Sequence, residues 1–115
     1  VRLFLNGRSK EFTAMEDSGN RLVEPVTGKP VSIIAAADAK EFGSEPAGVL
    51  MIPYRAVGTK SGMLPGILFD RMEITDGENR SVRIDRPVVA VSKEPLFFRK
   101  DFTMILPESL FTDKL

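Results

Sequence analysis

The chain has 115 residues, enough for one domain with a hydrophobic core, and its apolar (43%) and charged (28%) fractions are typical of a soluble globular protein. Its sixteen basic and sixteen acidic residues cancel, so we expect no direct binding to nucleic acid. Because the sequence contains neither cysteine nor histidine, thiol nucleophiles, Ser-His-Asp triads and zinc sites built from those residues are excluded.

Chemistry within this chain is therefore restricted to carboxylates, lysines, hydroxyls, or a hard metal held by oxygen atoms. No clustered acidic motif supports a metal site, and we predict neither a metal nor a cofactor. The longest apolar run, Val31–Ala37, is too short to span a bilayer. The chain begins at Val1 rather than at methionine, and we interpret it as a fragment of a longer protein.

The first predicted element is a β-hairpin. Its strands are Arg2–Leu5 and Glu11–Met15, and its turn contains Asn6-Gly7, a pair that favours the positive φ angles of a type I′ turn. The second strand leads directly into Asp17-Ser18-Gly19.

The order strand, carboxylate, small hydroxyl residue and glycine is how an aspartic protease presents its catalytic acid. In that interpretation the Ser18 hydroxyl fixes the loop, and Gly19 lets backbone N–H groups approach the Asp17 carboxylate. The alternative is an ordinary turn, because Asp, Ser and Gly all favour turns. About one chain of this length in twenty carries such a tripeptide by chance. The tripeptide alone therefore favours the turn.

The rest of the sequence predicts short strands separated by turns. Ala35–Phe42 is the best helical stretch and ends at Gly43, and a short helix with Pro107 at an early position follows the last strand. Pro53 indicates an edge or irregular strand. The predicted strands are 31–34, 50–57, 63–69, 72–75, 81–84, 88–91 and 103–106. This pattern is typical of a closed or folded-over β architecture.

Four motifs in this order are similar to a known family. The segments Asp17–Leu22, Glu24–Val31, Ile52–Gly58 and Gly62–Leu64 resemble the protease domain of the sigma-E-processing peptidase of endospore-forming bacteria. The resemblance spans residues 3–75. That family is a membrane-anchored aspartic protease, related in design to retroviral proteases.

The resemblance implies a mostly β fold: a retropepsin-like closed β-barrel with one or two short helices and one lobe per chain. Residues 1–115 would form a single aspartic protease domain without its N-terminal membrane domain. The parent protein would lie in the membrane of the sporulation septum, with this soluble domain in the cytoplasm. It would remove the pro-segment of a sporulation sigma-factor precursor in response to a forespore signalling protein. Asp17 matches the catalytic aspartate, and Ser18 and Gly19 match its supporting loop.

Aspartic proteolysis needs two carboxylates about 3 Å apart that share one proton. One chain supplies only Asp17, so we predict a C2 homodimer that pairs Asp17 with its copy. Glu16 is a poor partner because adjacent side chains of a strand point to opposite faces. The other aspartates lack the hydroxyl-glycine setting: Asp38, Asp70, Asp76, Asp85 and Asp101.

Two further questions stay open at the level of sequence. The segment Gly58-Thr59-Lys60-Ser61-Gly62 is either a flap that closes over a peptide or an ordinary hairpin connection. Retroviral proteases carry a hydrophobic-hydrophobic-glycine motif before the final helix, whereas Ile105-Leu106 precedes Pro107 here. The alternative function is a non-catalytic β-barrel interaction domain, in which Asp17-Ser18-Gly19 is only a structural turn.

Overall fold

A computed structural model describes residues 1–43, 49–55, 61–93 and 101–112. The described chain is mostly β-strand, as the sequence predicts. Its strands are β1 (Arg2–Leu5), β2 (Arg8–Glu11), β3 (Ala14–Asp17), β4 (Val31–Ala35), β5 (Leu50–Arg55), β6 (Ser61–Leu68), β7 (Arg71–Thr75), β8 (Ser81–Asp85), β9 (Val88–Ser92) and β10 (Met104–Pro107). Its helices are α1 (Ala36–Ala39), continued by a 3₁₀ turn over Lys40–Phe42, and α2 (Ser109–Thr112).

The strands form two sheets. One has four strands in the order β2-β1-β7-β8, and the other has six in the order β3-β10-β4-β9-β6-β5. The main hydrophobic core combines Leu3 and Met72 of the first sheet with Ile34, Val89 and Met104 of the second, all fully buried. The two sheets therefore pack against each other. Within the described residues they do not close into a barrel, so the expected closed barrel is not observed.

The predicted hairpin was wrong in its second strand. A two-residue turn at Asn6-Gly7, with φ angles of 52° and 77°, makes Arg8 pair with Leu5, so the second strand is Arg8–Glu11. The polar sequence of this exposed strand gave no hydrophobic alternation to detect. The chain then passes into the other sheet, with Phe12 buried in the core. Asp17 consequently ends β3, a separate strand of the six-stranded sheet.

Several other predictions are confirmed. The helical stretch after β4 occupies Ala36–Phe42 and ends at Gly43, whose φ is 123°. Strand β5, which contains Pro53, lies at the edge of its sheet, where a missing N–H costs no ladder hydrogen bond. The hairpin of β7 and β8 has the predicted position. None of the described helices is long and apolar enough to cross a membrane.

The outward faces of the two sheets differ in chemistry. On the four-stranded sheet, the outward residues include Arg2, Glu11, Glu73 and Arg83, aligned side by side across the strands; we call this the charged face. On the six-stranded sheet, a second cluster includes Val31, Ile52, Val88 and Ala90, packed with partly buried Leu22, Ile33, Leu50, Leu64 and Leu68; we call this the apolar face.

Candidate active site

Asp17 lies at the end of β3, beside β10. The two strands are parallel, and Asp17 is opposite Pro107. Strand β10 also pairs with β4, so it lies between two strands that only the loop 18–30 separates in sequence. That loop passes from one side of β10 to the other. Residues Ile105-Leu106-Pro107 thus form the strand beneath the Asp17 loop, although proline takes the place of glycine.

The predicted helical position of Pro107 was wrong. Pro107 is the last residue of β10, and α2 begins at Ser109. Pairing with β3 extends the strand up to this residue, whereas the pairing with β4 involves only Met104 and Ile105. A proline is tolerated at this position because the ladder ends there.

The backbone of the loop contacts the Asp17 carboxylate. The Gly19 N–H donates to Oδ1 of Asp17 at 2.8 Å, and the Asn20 N–H donates to the Asp17 carbonyl at 3.1 Å. A Cβ on Gly19 would lie 3.2 Å from Oδ1, closer than most real Cβ contacts. Gly19 therefore permits the close approach that the sequence predicts. Ser18 is exposed, and its hydroxyl forms no hydrogen bond to any described residue.

Asn20 joins the two ends of the loop. Its Nδ2 donates to the Val31 carbonyl at 2.9 Å, and its Oδ1 accepts from the Leu22 N–H at 3.2 Å. Val31 is the first residue of β4. Asn20, the residue directly after Gly19, is thus hydrogen-bonded to the strand on the far side of β10.

Glu24 organises the tip of the same loop. Its carboxylate is buried (residue exposure 4%) and accepts from the Val26 N–H at 3.1 Å and from the Thr27 N–H and hydroxyl, each at 2.6 Å. The Thr27 hydroxyl and then its N–H lower the pKa of Glu24 below its usual value, because both donate to the ionised form. The Gly28 N–H closes the turn on the Glu24 carbonyl at 2.8 Å.

Four of the other aspartates in the described chain have structural partners. Asp38 pairs with Lys10 at 3.6 Å, Asp76 with Arg80 at 2.9 Å and Asp85 with Arg83 at 2.9 Å, while Asp70 accepts from the Asn6 N–H at 2.9 Å. Asp17 forms no ion pair with any described residue. Among the same residues, no group of three or more acidic side chains could hold a metal ion.

The candidate flap is described only in part. Gly58, Thr59 and Lys60 lie outside the described residues, whereas Ser61 and Gly62 belong to β6, which pairs with β5 as a hairpin. Gly62 lies opposite Tyr54, and a Cβ there would lie 2.7 Å from the Tyr54 ring. The small size of Gly62 accommodates the tyrosine ring.

Sequence reasoning assigned no role to Asn20 or to Glu24. A local signal existed for each. Asparagine two residues before an N–H that it can accept is an Asx turn, and a carboxylate followed by Thr-Gly three and four residues later is typical of a closed turn. The contact between Asn20 and Val31, eleven residues apart, has no such signal.

The chain is similar to known proteins over nearly its whole length. The sequence profile of the family Peptidase_U4, described as sporulation factor SpoIIGA, matches residues 1–110. The chain is 25% identical over 132 residues to a sporulation sigma-E factor-processing peptidase of Priestia megaterium, covering 96% of this chain and 43% of that protein. It is 23% identical over 138 residues to a putative sporulation sigma factor-processing peptidase of Bacillus thuringiensis subsp. kurstaki, covering 100% of this chain and 85% of that protein. No solved structure matches the chain at a significant level.

Proposed function

The chain belongs to the Peptidase_U4 family of sporulation factor SpoIIGA, and we propose that it is an aspartic endopeptidase domain whose catalytic acid is Asp17. One observation carries the proposal: the Gly19 N–H lies 2.8 Å from Oδ1 of Asp17, at the end of a strand. This backbone donor orients the carboxylate, which forms no ion pair with any described residue. An ordinary turn would explain the local geometry but not the match of residues 1–110 to this family.

The proposed mechanism uses two copies of Asp17. Two carboxylates about 3 Å apart cannot both ionise, so they share one proton. The ionised member takes a proton from a water molecule that attacks the scissile carbonyl. The protonated member donates a hydrogen bond to the carbonyl oxygen as negative charge develops on it. The two apparent pKa values then belong to the pair.

A homodimer supplies the second acid. Asp38, Asp70, Asp76 and Asp85 are engaged with other residues, and no hydrogen bond joins a second described carboxylate to Asp17. Strand β3 is at the edge of its sheet, and Ser18 is exposed beside Asp17, so this end of the molecule is open to a second copy. A C2 axis near Asp17 gives the retropepsin-like arrangement of one lobe per chain.

The proposed substrate is a sporulation sigma-factor precursor, from which the enzyme removes the pro-segment. The names of both relatives support this assignment. The chain spans 43% of the length of the Priestia megaterium relative, so membrane anchoring of a longer parent, a cytoplasmic position of this domain and control by a forespore signalling protein are further parts of the proposal.

Co-expression with a sigma-factor precursor tests the proposal. The wild-type chain should shorten the precursor, and Asp17→Asn should abolish shortening without changing the fold, measured by circular dichroism and thermal unfolding. Asp85→Asn is the matched control, because Asp85 is an exposed acid that pairs with Arg83. Full cleavage by Asp17→Asn would refute the assignment. Partner binding that survives in this variant, with no cleavage by any form of the chain, would favour the interaction-domain alternative.

A further inference from the structure

We infer that Asn20 and Glu24 are positioning residues, which hold the loop 18–30 so that the Gly19 N–H stays on the Asp17 carboxylate. The inference rests on the proposed function for the catalytic role of Asp17. Its structural content, a braced loop, is independent of that role. Neither residue touches the reacting atoms in this account; both act through the loop.

The first part of the brace is at Asn20. Strand β10 lies between β3 and β4, so no backbone ladder joins the last residue of β3 to the first residue of β4. Asn20 spans that gap, because its N–H donates to the Asp17 carbonyl at 3.1 Å and its Nδ2 donates to the Val31 carbonyl at 2.9 Å. The residue after Gly19 is thereby fixed to both neighbours of β10.

The second part of the brace is the pairing between the two sides of the loop, residues 22–24 and 29–31. The Val31 N–H donates to the Leu22 carbonyl at 3.0 Å, and Val23 forms an antiparallel bridge with Pro30. The Glu24 N–H donates to the Lys29 carbonyl at 2.9 Å. These contacts run without a gap from β4 to the turn at the tip.

Glu24 closes that turn from within. Its three donors come from Val26 and Thr27, and its residue exposure is only 4%. A buried carboxylate is costly unless its oxygens are hydrogen-bonded, so the turn is stable only in the geometry that supplies these donors. Removal of the carboxylate should loosen the turn at the tip of the loop and weaken the pairing between residues 22–24 and 29–31.

A second turn in the molecule offers a matched comparison. In the turn between β7 and β8, Asp76 accepts from the Glu78 N–H at 2.9 Å and from the Arg80 N–H at 3.0 Å. This carboxylate closes its turn in the same way, and its pKa is also lowered by these donors, the Arg80 N–H first. It belongs to the other sheet, and its hydrogen bonds stay within its own turn rather than reaching the loop 18–30. Asp76→Asn therefore reproduces the loss of a turn-closing carboxylate without touching the Asp17 loop.

The test measures solvent exchange of the Gly19 amide by NMR in the ¹⁵N-labelled chain. Asn20→Ala and Glu24→Gln should each speed Gly19 exchange about fivefold to tenfold, the effect of losing roughly one net hydrogen bond. Amides of Ile34 and Val89 should keep their protection, which shows that the sheet is intact. Asp76→Asn should leave Gly19 unchanged. Unchanged Gly19 exchange in both loop variants would overturn the inference.

Cleavage kinetics give the second measurement. On a sigma-factor precursor, both loop variants should lower kcat roughly tenfold to a hundredfold with KM within about twofold, because a misplaced acid slows the chemical step more than it weakens binding. Glu24→Asp should restore most of kcat, since a shorter carboxylate still accepts from the turn N–H groups. If Glu24→Gln fails to fold, Thr27→Val removes one donor instead. Wild-type chain that cleaves nothing contradicts the proposed function, while the Gly19 exchange rates still decide the brace.

Discussion

The charged face and the apolar face are built from the same alternation of strand residues, yet they carry opposite chemistry. Across the charged face, Glu11, Arg2, Glu73 and Arg83 alternate in sign from strand to strand. Across the apolar face, the half-buried side chains of Ile33, Leu50, Leu64 and Leu68 are only partly covered by the described chain. Neighbouring side chains of the charged face form ion pairs with one another, whereas the apolar side chains at the margin of the second cluster stay partly exposed.

Asp17 belongs to the second kind of surface. Residues Asp17 and Met15 alternate with Glu16, and Met15 pairs through Ile105 with Ile33 of the apolar face. Several described carboxylates form ion pairs with neighbouring cations, whereas Asp17, which forms none with a described residue, lies on the same strand face as Met15. The setting of an acid, more than its residue type, therefore separates a catalytic candidate from a solubilising charge.

The largest predicted effect comes from placing a charge beside Asp17. Met15→Asp puts a second carboxylate two residues away on the same face, and in the dimer it adds two negative charges near the catalytic pair. We expect cleavage of the precursor to fall at least roughly a hundredfold, because like charges disfavour both the ionised dyad and its assembly. Met15→Leu, which keeps the apolar character, should retain activity. Equal activity of the two variants would show that this face does not adjoin the active site.

The next largest effect is expected from replacing a glycine in the six-stranded sheet, compared with one in the turn between β7 and β8. Gly62→Ala places a Cβ 2.7 Å from the Tyr54 ring on the six-stranded sheet, and we expect a loss of about 1–3 kcal/mol in the free energy of unfolding. Gly77→Ala, in the turn between β7 and β8, meets nothing within 4 Å and should change stability by less than about 0.5 kcal/mol. Urea unfolding measures both. Tyr54→Ala combined with Gly62→Ala should recover part of the loss; strictly additive effects would rule out the ring contact.

A smaller effect is expected in the pH dependence of stability. The folded-state pKa of Glu24 lies below its ordinary value of 4.5, so the folded chain binds fewer protons than the unfolded chain in this range. The stabilisation is complete above that ordinary value and is lost as the pH falls through the lowered pKa. Glu24→Gln should therefore flatten the decline of stability with acid below pH 4.5. A curve parallel to that of the wild type in urea unfolding would refute the assignment.

The smallest effect is expected on the charged face. Glu11→Ala removes a pair with Arg2 whose atoms are 3.5 Å apart and whose side chains are 76% and 43% exposed. Exposed ion pairs contribute little to stability, so the free energy of unfolding should fall by less than about 1 kcal/mol. In salt of about 0.5 M the Debye length is only a few ångströms, so screening should make the difference smaller still. A larger loss would mean that the charged face is not simply solvated.

The sequence predicted those parts of this structure that depend on neighbouring residues. Asn6-Gly7, the helix ending at Gly43, and Pro53 on an edge strand each follow from local backbone chemistry. The pairing of β3 with β10 depends on residues ninety positions apart, and no local pattern specifies it. For the same reason the extent of Arg8–Glu11 was missed, because its exposed polar side chains carry no hydrophobic period. The catalytic candidate was a motif, but its brace at Asn20 and Val31 was a tertiary contact.

One measurement tests the central claim, that the active site is shared between two copies of Asp17. Two chains joined in tandem by a flexible linker would be compared in three forms: both halves wild type, one half Asp17→Asn, and both halves Asp17→Asn. The mixed form should lose cleavage of the precursor as completely as the double substitution, because one remaining carboxylate cannot form the dyad. About half of the wild-type activity in the mixed form would show that each copy works alone, and would contradict the shared site.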